Sequence, residues 1–167
     1  MSAAVEWAVH CCTILATLPE DQALPAARLA EFHDVPPAYL AKALQATTAA
    51  GITESRSGPR GGYRLARPPA EITLLEVVMA VDGNATAFQC REIRRRGPVA
   101  SDDPDAYRRP CGIASAMWRA EDAWRAELAR TTIGELVHGI VATVAPAQLI
   151  KGAEWVQSVE INRRSRA

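Results

Sequence analysis

Several things are missing from this 167-residue sequence, and each absence excludes something. Cysteine is scarce: there are four, and no two stand in a CxxC pair. No run of about eighteen apolar residues occurs, so no membrane span is expected. The N-terminus, "MSAAVEWAVHCC", carries Glu6 and no basic stretch, so it is not a secretory signal. A cytoplasmic location is expected, where cysteines serve as thiols or metal ligands more often than as disulfides. Net charge is also absent, with 19 basic against 19 acidic residues, so bulk charge says nothing about nucleic acid. No Ser-His-Asp or comparable nucleophile arrangement stands out. The glycines of "SGPRGG" lack the Lys-Ser/Thr ending of a phosphate-binding loop and lead into a strand. An enzyme is not expected.

What is present reads as a chain of short helices interrupted once by strands. Val5 to Leu18 is apolar at helical spacing and is stopped by "PED". "PAARLAEFHD" opens on Pro25 and forms a second, short helix. "VPPAYLAKALQATTAAG" opens on Pro36 and Pro37, shows a stripe of Tyr39, Leu40, Ala43, Leu44 and Thr47, and ends at Gly51, where a C′ glycine belongs. Two short helices with a tight link are a helix-turn-helix. From Ile52 the period changes to that of a hairpin with a Gly/Pro-rich tip. The expected fold is therefore mainly α with a small β-wing: a winged helix-turn-helix followed by a long helix. Local charge agrees with that expectation. Between Pro36 and Pro69 lie Lys42, Arg56, Arg60, Arg64 and Arg67 against Glu54 alone.

Beyond the wing, Thr73 and Glu76 form a capping box, as do Thr132 and Glu135. Between them, residues 112–130 carry Ile113, Ala116, Ala120, Ala123, Trp124 and Leu128 at helical spacing. The expected organisation is a DNA-binding region over 1–83, a loop over 84–111, dimerisation helices over 112–145, and a polar, partly disordered tail over 146–167. The loop holds the puzzle. In "CREIRRRGPVASDDPDAYRRPC", Cys90 and Cys111 bracket a polar, charge-dense segment. Spacing leaves a disulfide, half of a metal site and two separate thiols all open. Its "REIRRR" run reads as a solvated face, the alternative being an approach to phosphates.

The run "SGPRGGYRLARPPAEITLLEVVMAVDG", with the preceding "LAEFHDVPPAYLAKALQATTAAGI", resembles the bacterial winged-helix regulators that include IscR and NsrR. The resemblance covers roughly residues 5–142. Such proteins are homodimers on pseudo-palindromic operators, and many carry an iron–sulfur cluster in the loop after the wing. Three closely spaced cysteines are usual there, whereas this chain has only the widely spaced Cys90 and Cys111. "VEWAVHCC" and "LAEFHDV" resemble the redox-sensing subgroup typified by RsrR. That resemblance implies a 2Fe-2S cluster held by Cys90, Cys111, His33 and Glu6. His10, one helical turn from Glu6, is the main rival ligand. Cys11 and Cys12 read as small core residues. The implied function is a redox-sensing, cluster-dependent repressor. Two other readings are a clusterless thiol regulator of the same fold and a small electron carrier.

A recognition helix meets base edges with its N-terminal part. Here Tyr39 and Lys42 are the expected DNA contacts, with Arg56 and Arg60 flanking the wing tip.

Overall fold

The structure is a computed structural model that describes residues 1–58 and 61–164. It begins with three helices: α1 (Ala3–Leu15), α2 (Ala26–His33) and α3 (Pro37–Ala49). The prolines act as the sequence suggests. Pro25 and Pro36 are N-caps in extended conformation, and Pro37 occupies the first turn of α3, where a missing N–H costs nothing. α2 ends at Asp34, whose φ of 50° lies in the left-handed region. That reversal sets the turn between α2 and α3. α3 is closed by Gly51 at φ 69°.

The wing is β1 (Thr53–Arg56) paired antiparallel with β2 (Gly62–Leu65), with Thr53 opposite Leu65 and Arg56 opposite Gly62. β2 also pairs with the segment before α2, through Tyr63 and Leu24, with N–H···O distances of 2.8 and 2.9 Å. Gly62 makes this approach possible. At φ 145°, a Cβ there would lie 2.4 Å from the Leu24 backbone. The wing is thus fixed to the helices at its base. Arg64 adds a bond to the Glu20 carbonyl at 2.7 Å.

Two apolar clusters hold the head together. One gathers Cys11, Leu15, Leu24, Leu29, Leu40, Leu44 and, from far along the chain, Val159. The other gathers Ala8, Cys12, Ala43, Ile52, Ile72, Val77 and Ile133. Each fully buried leucine contributes about 1.5–3 kcal/mol relative to exposure. Between the end of α3 and β1, the buried hydroxyls of Thr47 and Thr53 bond each other at 2.9 Å. Thr47 also donates to the Leu44 carbonyl, so neither hydroxyl is buried unpaired.

Then come α4 (Leu74–Asp82), α5 (Gly112–Arg130), α6 (Ile133–Thr143) and α7 (Pro146–Arg164). Both expected capping boxes are formed, at Thr73/Glu76 and Thr132/Glu135. The bounds of α5 match the expected long helix. The expected polar tail differs: through 164 it is helix. Trp155 stacks edge-on against Phe32 at 4.9 Å between centroids, Arg28 lies 5.1 Å from the same indole, and Val159 enters the first core cluster. α7 follows from docking to distant residues, which no local apolar stripe announces. No helix among the described residues is long and apolar enough to cross a membrane.

Candidate metal centre and DNA-reading surface

α3 has two faces. Leu40, Ala43, Leu44 and Thr47 are buried, while Tyr39, Lys42 and Gln45 are exposed. Tyr39 is 60% exposed, and the Lys42 ammonium lies 5.8 Å from its ring centroid. The two expected contacts therefore form one cationic and aromatic patch on the open face of the second helix of a helix-turn-helix. Gln45, one turn on, shares that face. Its polarity inside an otherwise Ala-rich helix was the available signal. On the wing, Arg56 is exposed and shares the Glu54 carboxylate with Arg64. The Arg64 hydrogen bond is the foremost reason the Glu54 carboxyl titrates below the ordinary glutamate range. Arg60 lies outside the described residues.

The cysteines divide into two kinds. Cys11 and Cys12 are wholly buried in α1, and burial pushes both thiols up to about 12. They are inert core residues, as expected. Cys90 and Cys111 are free and half-buried. The polar segment between them is folded back on itself. Arg94 donates to the Arg109 carbonyl at 3.0 Å and to the Glu92 carboxylate. The Tyr107 hydroxyl donates to the Arg94 carbonyl at 3.0 Å and accepts from the Ser101 N–H. The guanidinium of Arg95 lies 4.9 Å from the centroid of the Tyr107 ring. The "REIRRR" run is thus more than a solvated face, since Arg94 ties the two ends of the loop together. Arg94 is held in its charged form chiefly by its bond to Glu92, with Cys111 and Cys90 adding to the same effect. Cys111 caps α5, its Sγ accepting from the Ala114 N–H at 3.2 Å. An N–H bond to sulfur is one of the features that tune thiolate–iron centres.

The harder donors lie on α1 and α2. His33, the last residue of α2, has a buried Nε2 with no hydrogen-bond partner. A buried, unpaired ring nitrogen costs free energy unless something else binds it. Its pKa is lowered, first by burial and then by His10, so the ring is neutral at neutral pH and has a lone pair to offer. The His10 ring lies 5.4 Å from it, centroid to centroid. Glu6 is exposed on α1, one turn before His10, and makes no hydrogen bond or ion pair among the described residues. The structure thus brings His33 and His10 together, while Cys90 and Cys111 stand at the two ends of the loop that Arg94 clasps. Among the described residues of one chain, no three His, Cys, Asp or Glu side chains converge on a metal position. The chemistry of the donors nevertheless fits a two-iron cluster: two thiolates for one iron, and a neutral imidazole with a further hard donor for the other.

The sequence profile of the Rrf2 family, described as an iron-dependent transcriptional regulator, matches residues 1–139. A Bacillus subtilis protein named as a helix-turn-helix transcriptional regulator, YwgB, is 35% identical over 74% of this chain and 75% of its own length. Rv1287 of Mycobacterium tuberculosis, named likewise, is 31% identical over 83% of this chain and 81% of its own. Among solved structures, CymR, described as the global cysteine regulator of B. subtilis, superposes with a TM-score of 0.64. It covers 83% of this chain and 95% of its own at 20% identity. IscR of T. potens gives 0.64, covering 90% and 95% at 17% identity. Both share the winged-helix fold described above. On the extent of the profile match and the identity to YwgB, the chain belongs to the Rrf2 family of helix-turn-helix transcription regulators.

Proposed function

We propose that this regulator is a homodimeric, cytoplasmic, redox-sensing repressor whose DNA affinity follows the state of a 2Fe-2S cluster. Cys90 and Cys111 hold one iron, and His33 and Glu6 hold the other. The carrying observation is the buried, unpartnered Nε2 of His33, at the junction between α2 and the reading helix. The subgroup resemblance of "VEWAVHCC" and "LAEFHDV" to RsrR points the same way. When bound, the cluster supplies a reversible one-electron change of charge.

The chain's own residues supply the rest. His33 anchors the end of α2, so a bond at its ring constrains the turn into α3. Arg94, through the Arg109 carbonyl, holds together the two ends of the loop that carries the cysteines. Glu6 ties α1 to the same site. The cysteine pair and the histidine end form separate groups within one chain, which suits ligands drawn from two subunits. The exposed apolar side chains of α5, including Ile113, Met117, Trp118 and Trp124, provide an area for two-fold pairing.

A clusterless thiol switch is the second reading, favoured by Cys90 and Cys111 both being free, half-buried thiols at the ends of the loop that Arg94 clasps. Anaerobic purification with iron and sulfide assays separates the two. Iron and sulfide in equal amounts support the cluster. Iron-free protein whose DNA affinity still responds to oxidant supports the thiol switch.

A further inference from the structure

The composition of α3 limits what it can read. Pro36, Pro37 and Ala38, at its N-terminal end, are exposed and have no hydrogen-bonding side chain. The helix holds no Arg, Asn, Asp or Glu. Successive side chains on an α-helix are about 100° apart. Ala38, Lys42, Gln45 and Ala49 therefore fall on one ridge, within about 60° of each other. That ridge is opposite the buried Leu40, Ala43, Leu44 and Thr47, and all four ridge residues are exposed. Tyr39 stands on its flank, and the Lys42 ammonium is turned toward it, 5.8 Å from the ring centroid. The Gln45 side chain is the sole carboxamide of the helix and makes no hydrogen bond among the described residues.

We infer that Gln45 is the base-reading residue of α3 and that it reads adenine. This deepens the DNA-binding part of the reading above and rests on that part, not on the cluster. A recognition helix lies in the major groove with its open ridge toward the base edges. The adenine edge offers the N7 acceptor beside the N6 amino donor. A glutamine amide matches both at once, its nitrogen donating to N7 and its oxygen accepting from N6–H. Guanine presents two acceptors, N7 and O6, and leaves the amide oxygen unpaired in the interface, which costs free energy. Arginine, the usual partner of guanine, is absent from α3. Lysine also meets guanine in some interfaces, yet the Lys42 ammonium is turned off the ridge centre toward Tyr39. There it is a point charge suited to phosphate. Ala38, Ala41 and Ala49 surround Gln45 with methyl groups alone. Such short neighbours let the α3 backbone approach the bases closely enough for a glutamine side chain to reach them.

The test uses the full chain, purified anaerobically and used both as isolated and after dithionite reduction. The wild type, Gln45→Ala and Gln45→Arg each select binders from a library of randomised duplex DNA. The wild type is expected to enrich a site in which one position of each half requires adenine. Any other base there is expected to weaken wild-type binding about fivefold to a hundredfold in gel-shift titrations. Gln45→Ala is expected to lose the preference at that position alone. Its other preferences and its salt slope stay unchanged, because a neutral amide releases no counterion. Gln45→Arg is expected to change the preference there from adenine to guanine, a gain that no folding defect mimics. Gln45 is exposed, and alanine and arginine both favour helix, so both variants are expected to melt like the wild type. Enrichment of no sequence by the wild type in either state would overturn the DNA-binding reading and this inference together. Unchanged preferences in Gln45→Ala, a uniform loss of its affinity on every sequence, or a requirement other than adenine at the affected position would overturn this inference alone.

Discussion

The reading head and the cysteine loop are built on opposite principles. In the head, α1, α2 and α3 bury Leu15, Leu24, Leu29, Leu40 and Leu44 in one cluster, and the wing is fixed to it through Leu24 and Tyr63. From Asn84 to Cys111, by contrast, no residue is fully buried. The loop's shape depends on hydrogen bonds around Arg94 and Tyr107, and on Arg125, which donates to Asn84 and Ala85. A packed core has one arrangement and resists change. A hydrogen-bonded surface loop opens at low cost. The loop is therefore suited to respond to a bound group, and the head to transmit that response as a rigid body.

The comparison predicts its own breaking points. The largest effect belongs to the cysteines: Cys90→Ala or Cys111→Ala is expected to abolish iron and sulfide binding completely, by direct assay, with little change in thermal stability. In the head the pattern reverses. Leu29→Ala or Leu44→Ala is expected to cost about 2–5 kcal/mol in urea denaturation. Arg94→Ala, which cuts only the loop's clasp, is expected to cost much less than either leucine variant in the same denaturation. If Arg94→Ala destabilised the fold as much as Leu44→Ala, the loop would be part of the core and the contrast would be lost.

The head was legible in the sequence because its signals are local. Pro25 and Pro36 mark helix starts, Gly51 marks a helix end, and the Leu40, Ala43, Leu44 and Thr47 stripe marks a buried face. The loop was legible only as a segment. Its closure depends on Arg94 meeting the Arg109 carbonyl fifteen residues away, and an arginine run alone reads as solvated. α7 was missed for a related reason. Its anchor, Trp155 against Phe32 and Arg28, is a contact across more than a hundred residues. Of the site residues, His10 was the rival to Glu6 or to His33, and the structure places the His10 ring beside His33. Helical spacing put Glu6 and His10 on one face but carried no information on which of them α2 approaches.

Smaller effects sharpen the account of the head. Lys42→Ala is expected to weaken operator binding and lower the salt slope by about one, in gel-shift titrations at several salt concentrations. Tyr39→Ala is expected to weaken binding with the slope unchanged. The smallest effect belongs to the wing. Glu54 has its pKa lowered, first by the Arg64 hydrogen bond, so its contribution is complete above the ordinary glutamate pKa of about 4.3. That contribution is lost as pH falls through the lower folded value. Glu54→Gln should therefore flatten the acid side of a stability-versus-pH curve by a small amount, since the pair is solvent-exposed.

The central claim is that an imidazole at the end of α2 and two loop thiols hold one cluster. Its most direct test is iron and sulfide content, with the visible spectrum, of anaerobically purified wild type, His33→Ala and His10→Ala. The account predicts iron and sulfide in a one-to-one ratio in the wild type, an altered or weakened cluster in His33→Ala, and a wild-type spectrum in His10→Ala. A wild-type cluster in His33→Ala together with its loss in His10→Ala would contradict the assignment of the second iron.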